Sequence, residues 1–248
     1  MATQLPILYR DEAMVAVYKP ADMLVHRSFR SPGETEFVLQ TVRNQLCQHV
    51  FPVHRLDRPT AGVMVLAFNS EVARLLTEQF TVGEVSKHYL AVTRGHVGEA
   101  GYIDYPLTVE DDDYDDPRTS KNKEPQEAKT SYSPLAQVTL SIPVGRYPEA
   151  RYSLVHLQPH TGRQHQLRRH MKHIFHPIVG DTTHGEGRHN RLFRDHFNWH
   201  RLALFAIGMR LSHPLTGVPL SLTTLPDEDA MTLFSKLGWN FPALMPIN

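Results

Sequence analysis

His54-Arg55-Leu56-Asp57-Arg58-Pro59-Thr60-Ala61-Gly62 runs directly into Val63-Met64-Val65-Leu66-Ala67-Phe68. The first part carries a carboxylate between two arginines on a loop punctuated by Pro59 and Gly62. The second is an apolar run of strand length. Pro59 disfavours helix at Arg58, and Gly62 permits a tight turn. The pattern predicts a rigid loop feeding a buried strand, a place where reactive groups are often held. Taken alone, a loop aspartate more often caps a turn or pairs with a neighbour such as Arg55.

The chain has 248 residues, enough for a substantial core, with 26 basic and 26 acidic side chains and 16 histidines. Its single cysteine, Cys47, leaves no partner for an internal disulfide and no cysteine cluster for zinc, which fits a reducing compartment. The opening residues lack a basic segment followed by an apolar core. The uncharged run from Gly62 to Phe68 is far too short to span a bilayer. A cytoplasmic protein is expected.

A net charge of zero argues against a nucleic-acid partner until the charges are located. Between Arg151 and Gly180 there is no acid, while Arg151, Arg163, Arg168, Arg169 and Lys172 are interspersed with six histidines. Glu110 to Asp116 holds six acids and no base. A neutral sum can therefore hide a groove that attracts phosphates, although such a basic stretch can equally be a solvated helix face. The acidic run belongs to an expected mobile, polar loop over 108–130, lying away from the groove or steering the ligand into register.

Strands are predicted over Met14 to Tyr18, Gly62 to Phe68, His88 to Thr93, Tyr152 to Gln158 and Leu202 to Leu211. Val38, Val42 and Leu46 repeat at helical spacing, as do Val72, Leu75, Leu76 and Phe80. A third stripe, Leu167, His170, Met171 and Ile174, leaves His165, Arg168 and Lys172 on another face. Such a helix could bury Leu167 while aiming Arg168 into a cleft. Strands mixed with single helices, without βαβ alternation, indicate an α+β fold around a mixed sheet.

The opening string closely resembles the HRLDxxTSG signature of the RluA-type pseudouridine synthases, with Ala61 where that family usually has Ser. Further segments resemble the same family in the same order. They are Ile7 to Glu12 with Val15 to Pro20 and Leu24 to Arg27, then Lys87 to Val92, Thr161 to His170, His176 to Asp181, Leu202 to Ala206, and His213 to Gly217. Tyr18 stands where Asn is usual, and Phe205 where His is usual. The resemblance implies the pseudouridine synthase fold, a mixed and mostly antiparallel sheet in two halves meeting at a central catalytic cleft. It implies a single catalytic domain over 1–248. The S4-type RNA-binding module of many relatives is not expected, since the opening motif begins at Ile7. Pro143 to Pro148, Arg151-Tyr152, Gly180 to Gly185 and His189 to Arg191 resemble the tRNA-directed branch more than the ribosomal one, which implies action on uridine 65 in the T stem of tRNA.

The implied reaction breaks the bond from uracil N1 to the ribose, turns the base and joins C5 to the same carbon. Nothing is oxidised and no group is lost, so no cofactor and no metal is expected. A carboxylate can serve as nucleophile or base. The resemblance makes Asp57 catalytic, pairs it with Arg168 and places Tyr89 beside the uracil, where it could stack or move a proton at C5. A cation beside a carboxylate favours its charged form. Leu204 is expected against the base. Arg55, Arg58, Arg163 and Arg169 are candidates for phosphate and ribose contacts.

Three other readings remain at this point. The chemistry could act on ribosomal RNA, the fold could bind RNA without catalysis, or the histidines could serve a metal hydrolase. His165, His170, His173 and His176 lack the i, i+4 pair and intervening acid of an HExxH helix. A monomer is expected because no uncovered apolar stripe stands out.

Overall fold

A computed structural model describes residues 4–27, 33, 35–108 and 124–240. Its strands are β1 (Ile7–Arg10), β2 (Met14–Lys19), β3 (Phe51–Pro52), β4 (Ala61–Ala67), β5 (Ser86–Arg94), β6 (Gly101–Asp104), β7 (Lys129–Leu140), β8 (Ala150–Pro159), β9 (Leu204–Ser212) and β10 (Pro219–Thr223). Its helices are α1 (Val38–Leu46), α2 (Ser70–Val82), α3 (Gln166–His173), α4 (Gly187–Phe197) and α5 (Glu228–Lys236). The predicted strands and the three predicted helices are all present, with ends moved by a few residues.

The strands form one sheet in the order β1-β2-β4-β9-β5-β8-β7-β6, with β3 added to β4 and β10 to β9. Neighbours are antiparallel except β4 and β9, which run parallel through Ala61–Phe205 and Gly62–Ala206. The expected two halves are thus one continuous sheet joined at this short parallel seam. The strand that leads out of the Asp57 loop lies on the seam itself.

β4 is buried along its whole length, so its apolar run serves two cores rather than one. Met64 and Leu66 join Val15, Val17, Val38 and Val42 beneath α1. Val63, Val65 and Ala67 pack with Val72 and Leu76 of α2. Across the seam, Leu90, Val92, Phe205 and Ile207 meet α4 and α5 through Phe193 and Phe234. Ala91 and Leu204 meet Leu167 and Met171 of α3. Because strand side chains alternate, α1 and α3 cover one face of the sheet and α2, α4 and α5 the other. Tyr89 packs against both the α1 and the α3 cluster, which places it on the join between them.

The acidic run Glu110 to Asp116 lies outside the described residues. The boundaries expected for its loop are corrected by the strands: Lys129 and Thr130 already belong to β7, and Leu107 bridges Gln126. α4 and α5 were not expected, nor were β1, β3, β6, β7 and β10. β7 carries Pro134, a poor strand residue, at a register shift between Pro134 and Ala136 where its missing N–H is tolerated.

Gly62 is required by geometry. Its φ is 126°, and a Cβ there would stand 2.1 Å from the carbonyl oxygen of Ala206. Gly62→Ala is expected to cost about 2 kcal/mol or more, from the clash and the left-handed backbone together. A thermal melt should show the midpoint lower by roughly 4–8 °C. An unchanged midpoint would mean that the seam is not closely packed.

Candidate active site

The loop that carries Asp57 is held from several sides. Thr60 N–H donates to the Asp57 carbonyl, closing a turn at 3.0 Å. Lys19, the last residue of β2, is fully buried, and its Nζ donates to the carbonyls of Pro20 (2.9 Å), Arg58 (2.9 Å) and Thr60 (2.8 Å). Burial pushes the Lys19 pKa down to about 7, against the pull of the Asp22 and Asp57 charges. His54 accepts from Val65 N–H through Nε2 at 3.0 Å and stacks on Phe80 of α2, so it ties the loop to strand and helix. Leu56 is sunk in the α1 cluster. Between these anchored residues the Asp57 side chain stays 22 % exposed.

Arg168, on the first turn of α3, meets it. Its Nη1 lies 3.6 Å from Asp57 Oδ2. The guanidinium is 95 % buried, and its closer partner is Asp181. Nε donates to Asp181 Oδ2 at 2.7 Å and Nη2 to Oδ1 at 2.8 Å, a bidentate fork that leaves Nη1 turned to Asp57. Burial works against the charge on Arg168, but Asp181 and then Asp57 outweigh it and its pKa is raised. Burial likewise opposes charge on Asp181, yet its bonds to Arg168 and to the His184 and Thr183 N–H groups hold its pKa below the usual carboxylate value.

Two more side chains face the same carboxylate. His165 Nε2 is 3.9 Å from Asp57 Oδ2, and its Nδ1 is 3.0 Å from His184 Nε2. Tyr89 feels the Asp57 charge, which adds to burial in driving the phenol pKa upward. At neutral pH the Tyr89 phenol is therefore un-ionised. A register shift between His88 and Tyr89 in the β5–β9 ladder marks a bulge at this residue, a device that re-aims a side chain next to a site.

The expected trio of Asp57, Tyr89 and Arg168 is thus brought together. Leu204 is 3 % exposed and packs with Ala91, Leu167 and Met171, a core residue below the site. Arg58 is exposed and donates from Nε to the Asp22 carbonyl. Arg55 is also exposed, and its charge adds to burial in lowering the pKa of His26. Arg163 donates to the Glu127 carbonyl and Arg169 to that of Thr108. Arg163, just before α3, and Arg169, on it, thus tie the backbone at Glu127 and Thr108 to this helix.

The sequence reading named no role for Lys19, Asp181 or His184. For Asp181 a signal was present: it is the first acid after an acid-free stretch containing Arg168, and a buried guanidinium needs a carboxylate. The four histidines considered for a metal are engaged by protein groups. His170 meets Thr130 and the Tyr105 carbonyl, His173 stacks on Tyr105, His176 meets the Arg94 carbonyl, and His165 faces Asp57. Among the described residues no group of three or more metal-ligating side chains converges.

A family profile described as RNA pseudouridylate synthase matches residues 13–173. The chain belongs to the pseudouridine synthase family. It is 53 % identical over 235 residues to a protein of Vibrio cholerae named tRNA pseudouridine synthase C, covering 95 % of this chain and 96 % of that one. A protein of the same name from Yersinia pestis is 52 % identical over 236 residues, covering 95 % and 92 %. Among solved structures, human RNA pseudouridylate synthase domain containing 4 superposes with a TM-score of 0.69 at 25 % identity, covering 96 % of this chain and 94 % of that one. Human RNA pseudouridylate synthase domain containing 1 gives 0.68 at 26 %, covering 92 % and 85 %. The chain is therefore an isomerase of the pseudouridine synthase type.

Against that family's signature, the three departures, Tyr18, Ala61 and Phe205, meet in one place. Ala61 and Phe205 are register partners across the seam. Both lie in the α4–α5 cluster, against which Tyr18 packs while its hydroxyl donates to Asp227 at 3.0 Å. Phe205 sits edge-on to Trp199 and Phe234. Together they line an aromatic core behind the Asp57 loop. They do not belong to the Asp57 cluster.

Phe205→His should therefore destabilise, since it puts a polar ring among Trp199 and Phe234; about 1–3 kcal/mol is expected in a denaturant melt. A gain in stability would show that the pocket offers the ring a partner. A pH dependence also follows from two histidines buried in neutral form. Burial lowers the pKa of His54 to about 3 and that of His156 to about 4. The unfolded chain takes up these protons below about pH 6.5 and the native state refuses them, so stability falls as pH drops through that window. Thermal midpoints should decline from about pH 6.5 to about pH 4, and His156→Gln should flatten the slope. An equally steep slope in that variant would count against the assignment.

Proposed function

We propose that this protein converts one uridine of tRNA, uridine 65 in the T stem, into pseudouridine, with Asp57 as the reacting carboxylate. The observation that carries the chemical part is the partly exposed Asp57 carboxylate beside a buried Arg168 and the phenol of Tyr89. The tRNA part is supported by full-length likeness to relatives named tRNA pseudouridine synthase C. The uridine position rests on the resemblance of the Pro143 to Pro148 and Gly180 to Gly185 segments to the uridine-65 branch.

The reaction moves one C–N bond to a C–C bond at the same ribose carbon, and one proton leaves C5 while N1 gains one. Asp57 is placed to act on the sugar or on the base, with Arg168 offsetting its charge. Tyr89, un-ionised, offers a ring face for stacking and a hydroxyl that can hold a proton. The target base must leave its helix, which costs a few kcal/mol, and stacking on an aromatic returns about 1–3 kcal/mol. Phosphate and ribose contacts from Arg55, Arg58, Arg163 and Arg169 supply the remainder, reading shape more than sequence in A-form RNA. We place the enzyme in the cytoplasm as a monomer; no described helix is long and apolar enough to cross a membrane.

Tritium release from tRNA labelled at uridine C5 tests this reading directly. Asp57→Asn should lower the rate by about a thousandfold or more while tRNA affinity stays within a few fold. Pseudouridine mapping in cells lacking the protein should show loss at tRNA position 65. Loss from ribosomal RNA with that tRNA position still modified would refute the tRNA assignment.

A further inference from the structure

Two of the three groups around the Asp57 carboxylate, Arg168 and His165, trace back to one side chain. Arg168 is gripped by the Asp181 carboxylate through Nε and Nη2, which fixes the direction of the remaining Nη1. His165 is held through its Nδ1 by His184 Nε2, and His184 is itself fixed because its backbone N–H donates to Asp181 Oδ1 at 2.9 Å. Thr183 N–H donates to the same oxygen. The Asp181 side chain is 1 % exposed and accepts four hydrogen bonds, two from Arg168 and one each from the Thr183 and His184 N–H groups.

The loop under Asp181 is pinned in turn. Asn190 of α4 donates from Nδ2 to the Asp181 carbonyl at 2.7 Å and accepts from Gly180 N–H at 2.8 Å. Gly180 has a φ of 78°, and a Cβ there would meet the Arg201 carbonyl oxygen at 1.9 Å. His165 has a φ of 52°, an unusual conformation for a non-glycine residue, and this backbone carries the ring that reaches Asp57.

We propose that Asp181 is the positioning residue of this active site, presenting Arg168 directly and His165 through His184 to the two-sided approach on Asp57. It does not touch the substrate. A carboxylate is needed because the side chain must satisfy a guanidinium fork and two backbone N–H groups at once. An amide offers one acceptor oxygen and turns an N–H toward the arginine. The inference rests on Asp57 being the reacting carboxylate.

Steady-state kinetics on tRNA, with filter-binding affinities and thermal melts, test it in Asp181→Asn, His184→Ala and His184→Gln. Asp181→Asn should lower kcat on the order of a hundredfold, as expected when a reacting group is misplaced by about 1 Å, with KM and tRNA affinity within about threefold. His184→Ala should lower kcat about tenfold with KM unchanged, beside the lowered melt that truncating a buried ring brings. His184→Gln, whose side-chain amide can reach His165 in place of Nε2, should restore most of it. Should Asp181→Asn fail to fold, the two His184 variants decide. Wild-type kcat in Asp181→Asn or His184→Ala overturns the proposal, as do equal losses in both His184 variants or an effect confined to KM. An active Asp57→Asn would instead overturn the catalytic reading beneath it. Inactive Asp57→Asn beside fully active Asp181→Asn would overturn only this inference.

Discussion

One guanidinium is shared by two carboxylates, and the architecture around the site follows from that sharing. Arg168 is too deeply buried to carry its charge without a partner close by. Asp181 supplies that partner with a bidentate fork, and the geometry of the fork leaves a single nitrogen for Asp57. The longer 3.6 Å contact keeps the Asp57 carboxylate accessible on one side. A buried ion pair of this kind adds little net stability over apolar packing, and its use lies in fixing direction.

The sheet seam brings together the elements around the candidate site. Asp57 precedes β4, Tyr89 lies on β5, and Leu204 begins β9 between them in the sheet order. The parallel β4–β9 contact can form because Gly62 admits the Ala206 carbonyl at a distance no side chain would allow. α1 and α3 then cover one face on either side of this seam, with Tyr89 between their cores. Lys19 closes the loop from beneath with three carbonyl bonds. The clustered side chains sit on rigid supports, as positioning within about half an ångström demands.

Behind the loop, Tyr18, Ala61 and Phe205 meet in one aromatic-lined cluster. Aromatic edge contacts to Trp199 and Phe234 take over the packing. Changes at adjoining positions couple, and this set makes sense only as a set. The cluster of Asp57, Tyr89 and Arg168 lies apart from them.

Local patterning determined the core of this protein. The apolar run after Gly62, the helical stripes of α1, α2 and α3 and the loop holding Asp57 were readable because each depends on periodicity or turn chemistry within a few residues. β7 was hidden by Pro134 and its half-exposed pattern, and α4 by a polar composition that buries Asn190 beside Leu192 and Phe193. Arg168 was legible from its motif. Its grip by Asp181, the His184 link to His165 and the three carbonyls on Lys19 join residues distant in sequence or held by loop geometry. Only the tertiary structure decided them, because hydrogen-bond partners are chosen by distance and direction in space, and a buried charge is satisfied by whichever group the packing brings within about 3 Å.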